Sequence, residues 1–276
     1  MWREFLTVVR REYLKWVRVP VWVSAYFVLP FVYLVLFGQA FDLNNLFPAG
    51  GGAAELRTAL LGAPDYFSYF TAGIIGFVIL TTSLYAGTGV LFDKQLGIQS
   101  RMSSTPAPRS ALFAGSLVFR SMMAMLPCFL AIAFGLAFAH VPGLVGLTVN
   151  GSVSALGVGE IVLAAALLSL MFTALFLAFG YAVDTNESYF GVTSLLNLPL
   201  LFTSNAMFPQ STMPGWLQSI SAYNPISLAV NVVRENLFAS VGYPFGPGTY
   251  LLGLALWAAL LIGVALLVAA RELSAK

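Results

Sequence analysis

The chain has 276 residues, 59% of them hydrophobic and 9% charged, with a mean hydropathy of +0.87. A soluble domain carries about 25% charged residues, so this balance excludes a soluble enzyme or binding module and points to a membrane protein with several spans. The net charge of +2 selects no partner, and the single cysteine, Cys128, rules out an intrachain disulfide or a cysteine metal cluster.

Residues 1–19 predict an amphipathic helix. Trp2, Phe5, Val9, Tyr13 and Trp16 fall on one helical face, and Arg11, Lys15 and Arg18 on the opposite one. Such a helix lies in the cytoplasmic interface, with its aromatics among headgroups and its cations in water. It is either a membrane anchor or a lever touching a cytoplasmic partner. Residues 20–276 form one transmembrane domain. Its apolar runs predict six helical spans, at roughly 20–41, 67–91, 111–139, 159–183, 189–208 and 248–270. The fold class is thus an all-α membrane protein with six transmembrane helices. Pro30, Pro127 and Pro199 fall inside spans and kink them.

Lysine and arginine set the expected orientation. Arg3, Arg10, Arg11, Lys15 and Arg18 precede the first span; Lys94, Arg101 and Arg109 separate the second from the third; Arg271 and Lys276 follow the last. The opposite side holds Arg57 and Arg234, so both termini are expected in the cytoplasm. Arg120 lies about ten residues into the third span. It either snorkels to the headgroups or pairs with Asp93 or Asp184.

The loop 92–110, "FDKQLGIQSRMSSTPAPR", is longer than a plain helix connection needs. It is either a solvated connector or a docking surface for a soluble protein. Between the fifth and sixth spans, Trp216, Ile220 and Tyr223 share one helical face, and Ile226, Val230, Val233 and Leu237 share another. Asn224-Pro225 separates them, because a residue before proline avoids the helical region. Residues 209–238 therefore predict two short amphipathic helices with a bend, either dipping into the outer leaflet and returning or lying on the surface as packing, with Arg234 and Glu235 at headgroup level in either case.

Catalytic chemistry finds little support. His140 is the only histidine, which excludes a paired-histidine zinc motif. A phosphate-binding loop needs GxxxxGK followed by Ser or Thr. Lys15 and Lys94 are followed by Trp and Gln, and Lys276 is the last residue of the sequence. The chain therefore carries no nucleotide site and no cofactor of its own. It is not an enzyme by itself.

Two motifs carry a family resemblance. Asp93, Gly97, Arg101, Ser104, Pro106, Arg109 and Gly115 match D-x3-G-x3-R-x2-S-x-P-x2-R-x5-G, and "SNAMFPQSTMPGWLQSISAYNPISLAVNVVRENL" occupies 204–237. With the span layout, these resemble the permease subunit of ABC-2-type ABC exporters, in the daunorubicin-resistance branch. The resemblance implies a subunit of an ATP-driven exporter in the plasma (inner) membrane of a prokaryote. It would move an amphipathic drug-like molecule or a lipid. Two copies of an ABC ATPase subunit would bind ATP and Mg, a second permease copy or a paralogue would complete the membrane domain, and no nucleic acid is involved. Asp93, Lys94, Gly97, Arg101 and Arg109 would then couple the permease to the ATPase. Trp216, Asn224, Pro225 and Arg234 would form the re-entrant cap over the outer end of the path.

Candidate path residues recur at helical spacing on two spans. Thr71, Thr82, Tyr85 and Gly89 do so on the second, and Phe190, Thr193, Asn197 and Ser204 on the fifth. They line a path or make helix–helix contacts. An ABC-2 exporter of a polysaccharide or lipid-linked glycan is the alternative within the class. A membrane-embedded lipid-modifying enzyme is the alternative outside it, and it would need a tight polar cluster near one surface.

Overall fold

The computed structural model describes residues 2–18, 20–39, 60, 62–98, 109–150, 153–238 and 244–274. Nine α-helices run through them: α1 (Trp2–Val17), α2 (Pro20–Tyr33), α3 (Tyr66–Gln95), α4 (Arg109–Phe138), α5 (Ala155–Ala182), α6 (Asn186–Phe202), α7 (Gly215–Tyr223), α8 (Pro225–Phe238) and α9 (Pro247–Ser274). Local sequence explains their starts. Asp65 Oδ1 accepts from Ser68 N at 2.8 Å, Ser154 Oγ from Gly157 N at 3.0 Å, and Thr185 Oγ1 from Ser188 N at 3.2 Å. Each satisfies an N–H that has no partner within its helix. At the far end of α3, Gly97 takes φ +65° and donates its N–H to Lys94 O, a C-terminal stop suited to glycine.

Four helical stretches are long and apolar enough to cross a bilayer: Tyr66–Gln95, Leu112–Phe138, Ala155–Ala182 and Pro247–Arg271. The expected fifth span comes out shorter, and the expected first changes helical geometry within its described residues. α2 ends at Tyr33 and passes into a π-turn, Leu34–Gln39, while α6 has 17 residues and a length of about 26 Å. Gln39 fixes the end of the π-turn. Its amide nitrogen donates to Val145 O at 2.6 Å and its amide oxygen accepts from Val145 N at 3.0 Å.

α3 lies at the centre and is buried along nearly its whole length. It packs on α5, α4, α8 and α6, while α9 lies against α5 and α8, and α1 against α4. The α3–α5 crossing is close because both helices bring glycine to it. A Cβ on Gly87 would stand 2.3 Å from Phe176 O, and one on Gly180 2.6 Å from Gly87 O. The outer faces stay apolar: Leu252, Leu256, Leu260 and Leu267 on α9, and Leu195, Leu198 and Phe202 on α6, are exposed. Water is a poor solvent for such faces, and lipid or a partner is a good one. The chain is a multi-pass membrane protein.

Candidate functional site

The charged residues gather at the end of the bundle that carries α1. Phe5, Val8, Glu12 and Trp16 recur at three- and four-residue spacing, so they form one stripe of α1. Val8 and Glu12 are buried, while Tyr13 and Lys15 remain exposed. α1 sits close on α4 because Gly115 faces Val8, where a Cβ would come within 2.9 Å. This places a carboxylate in an apolar seam, and cations meet it there. Arg120 Nη2 donates to Glu12 Oε2 at 2.6 Å, and Arg11 Nη2 donates to Glu12 Oε1 at 2.5 Å. Burial alone would raise the Glu12 carboxyl. Arg120, with Arg11 and Lys15, outweighs it and holds the group below its ordinary value.

The network continues to α3. Arg11 Nη2 lies 3.0 Å from Asp93 Oδ2, and Lys15 Nζ donates to both Asp93 oxygens at 2.6 and 2.9 Å. Arg120 also donates to Ala86 O at 2.8 Å, reaching it across Gly89, where a Cβ would lie 2.4 Å from Nη1. Next to Asp93, Lys94 turns the other way. Its nearly buried Nζ donates to the Tyr181 and Val183 carbonyls and to Asp184 Oδ1. A cation here satisfies free carbonyls at the C-terminus of α5.

A cavity of about 470 Å³ opens beside this network, between α1, α2, α3 and α4. Glu12, Lys15, Arg18, Asp93 and Arg120 supply its charges. Trp16, Tyr26, Tyr85, Phe92, Phe119 and Met123 supply most of its apolar wall. Its volume is within the range of small-molecule sites.

The opposite end is organised by a different arginine. Arg234 on α8 is fully buried and has no carboxylate within 4.0 Å among the described residues. Nη1 donates to Asn205 O at 2.9 Å, while Nη2 donates to Ala206 O at 2.9 Å and Tyr69 O at 3.1 Å. Its guanidinium carbon stands 3.4 Å from the centre of the Tyr69 ring. Gly73 makes room, since a Cβ there would be 1.8 Å from Ala206 O. Asn224 closes the same region. Its Nδ2 donates to Leu200 O and Thr203 Oγ1, and its Oδ1 accepts from Ile226 N.

Comparison with known proteins supplies the decisive observation. The family model described as ABC-2 type transporter matches residues 3–238. The chain belongs to this family. It is 27% identical over 234 residues to the ycf38 transport permease of Cyanophora paradoxa, covering 84% of this chain and 73% of the relative. It is 28% identical over 235 residues to the ycf38 transport permease of Porphyra purpurea, with coverage of 84% and 73%. It is 25% identical over 238 residues to the daunorubicin resistance ABC transporter permease protein DrrB1 of Streptomyces coeruleorubidus, with coverage of 86% and 76%.

Within this ABC-2 permease, two sequence expectations are corrected. Arg120 neither snorkels nor pairs with Asp93 or Asp184; it pairs with Glu12, a residue 108 positions away. Arg234 does not lie among headgroups; it is inside the protein, because α8 buries its whole length apart from Glu235 and Asn236. The expected coupling residues are dispersed. Asp93 and Lys94 are last-turn residues of α3 with contacts inside the chain, Gly97 follows the helix end, Arg109 opens α4, and Arg101 lies outside the described residues.

Of the path residues, Thr82, Tyr85 and Gly89 line the cavity. Thr71, Thr193 and Ser204 are buried elsewhere, and their hydroxyls donate to carbonyls of Phe67, Tyr189 and Leu201. Phe190 is exposed and Asn197 half-buried. In the 209–238 segment, Trp216 is 67% exposed on α7 and Pro225 opens α8. Glu12 escaped the sequence reading. Its signal is a lone acid on the stripe Phe5, Val8, Glu12, Trp16, where water would leave it exposed and Arg120 and Arg11 hold it instead.

Proposed function

We propose that this permease is the membrane-spanning half of an ATP-driven exporter whose ATPase is a separate ABC subunit, present in two copies. The observation that carries the reading is a pairing. The family match runs over 3–238, yet no lysine of the chain stands in a phosphate-binding loop. ATP and Mg are accordingly held by the partner. The six expected spans, with both termini in the cytoplasm of a prokaryotic cell, put α1, the 96–108 connection and the 183–185 turn on the ATPase side.

The charged network gives this reading a mechanical form. Asp93 ends α3 and Arg120 belongs to α4, the two helices that flank the connection 96–108; both are joined to α1 through Glu12, Arg11 and Lys15. A push on the connection reaches α1 through ion pairs rather than through lipid. In this reading Gly97, Arg101 and Arg109 meet the ATPase. At the far end α7 and α8 form the re-entrant cap, and a second permease copy or paralogue completes the path for an amphipathic substrate.

Affinity purification from native membranes in mild detergent tests the proposal. A P-loop ATPase is expected in stoichiometric amount, with ATP turnover in the complex and none in the isolated chain. Turnover by the isolated chain, or purification without any ATPase, would overturn it.

A further inference from the structure

We infer that the cavity between α1 and helices α2, α3 and α4 is a binding site for an amphiphile with an anionic head group, phosphate or carboxylate, and an apolar body. The inference stands on the cavity and does not depend on which ATPase drives the permease.

Charge decides the sign of the head group. Lys15, Arg18 and Arg120 line the cavity against only two carboxylates, Glu12 and Asp93. Both carboxylates are already held twice, Glu12 by Arg11 and Arg120, Asp93 by Arg11 and Lys15. A cationic ligand would have to displace one of these bonds. Arg18, in contrast, has no carboxylate within 4.0 Å among the described residues and stands exposed at the rim. An incoming phosphate or carboxylate meets Arg18 and the exposed Lys15 without breaking the Arg120–Glu12 pair.

The rest of the wall decides the body. Phe92, Leu96 and Phe119 carry no polar side-chain atom, Met123 adds a thioether, and Trp16, Tyr26 and Tyr85 add ring surface with one polar atom each. The apolar surface does not stop at the cavity. Tyr85, Phe92 and Leu96, 42%, 50% and 68% exposed, carry it along α3 to the outer surface. A chain or ring system entering from the bilayer would keep apolar contact throughout, while its head group stayed by α1. A compact anion such as phosphate would use one side only and leave the aromatic wall unoccupied.

The test uses the full chain in nanodiscs of neutral phosphatidylcholine doped with a photoreactive phosphatidylglycerol, or with the same probe on phosphatidylcholine. The anionic probe is expected to label peptides containing Tyr85–Leu96 or Phe119–Met123 severalfold more than the neutral one. Lys15→Gln with Arg18→Gln should reduce that labelling to the neutral level. Met123→Trp fills the cavity without touching the surface charges, so it should abolish labelling. Should that variant not fold, Tyr85→Ala, at an exposed position, should lower labelling instead.

Equal labelling by the two probes would overturn the inference. So would undiminished labelling in the folded cavity variants, since that would mean acidic lipid merely gathering under α1. Vesicles containing the ATPase complex then separate the two sources of such a ligand. ATP-dependent loss of the bound probe marks a transported amphiphile, and ATP-independent retention marks a resident membrane lipid; either result supports an acidic-amphiphile site.

Discussion

Glu12 and Arg120 show how much a single side chain carries in this protein. Removing one member of this part-buried pair takes a charge-assisted bond from the other, which keeps its remaining partners, at about 1–3 kcal/mol. Glu12→Gln is expected to loosen α1 from α4, seen as new protease cleavage within residues 2–18 and a lower Tm in detergent. Joint replacement by Leu at both positions should cost less than the sum of the single changes. The pH dependence follows from the depressed Glu12 carboxyl. Its contribution is complete above the ordinary value of 4.5 and is lost only as the pH falls through the lower native value. α1 docking, read by protease protection, should therefore be flat from about pH 5.5 to 8 and fail in acid. At the other end, Arg234→Met removes the donors to Ala206 O and Tyr69 O and should lower stability by about 3 kcal/mol. Arg234→Lys should fall between, because an ammonium cannot reproduce the planar fork. Thermal unfolding in detergent checks both.

Among the elements, α7 and α8 differ although they are neighbours in sequence. Trp216, Ile220 and Tyr223 are exposed on α7, whereas Ile226, Val230 and Val233 are buried on α8. α8 is held by Arg234 and Asn224, so it is a fixed support, and α7 is the arm that meets lipid or partner. If the pair forms a re-entrant cap, both its flanks lie on one side of the membrane. In a Cys128→Ser background, Ser211→Cys and Phe245→Cys should both react with an impermeant thiol reagent from outside, while Val230→Cys stays protected. Labelling of Ser211→Cys and Phe245→Cys from opposite sides would sink the hairpin. Trp216→Ala should change stability by no more than about 0.5 kcal/mol, being exposed. In vesicle assays it should nevertheless lower transport if α7 is a cap.

For the whole molecule, if the 96–108 connection docks an ATPase, the ion pairs that hold α1 to α3 and α4 allow coupling to be lost without loss of the fold. Gly97 holds φ +65°, so Gly97→Ala strains the exit from α3 and should alter how the following connection is presented. Together with Arg101→Glu it should weaken ATPase binding and ATP-dependent transport while the permease stays folded and monodisperse. Unchanged ATPase binding in that double variant would remove the connection from the docking surface. The exposed apolar faces of α6 and α9 add a second constraint, since the chain needs lipid, detergent or a second subunit around it to remain dispersed.

Much of this architecture is local and was legible in the residues. Apolar runs longer than a bilayer is thick specify helices because only internal hydrogen bonding satisfies a backbone in lipid. The break at Asn224-Pro225 follows from the steric clash between proline and the preceding residue. That no lysine stands in a GxxxxGK[ST] motif is read directly from the residues around Lys15, Lys94 and Lys276. Periodicity states which residues share a face, but not what that face meets. Arg120 finds Glu12 across 108 positions, and Arg234 finds carbonyls of Asn205, Ala206 and Tyr69 from three separate segments. Helix geometry behaved the same way: the run that begins at Pro20 reads as one helix in the sequence, yet it takes π geometry over Leu34–Gln39, where Gln39 bonds the Val145 backbone. Those outcomes depend on helices that meet only in the folded chain, where a buried charge takes whichever partner the packing brings within about 3 Å.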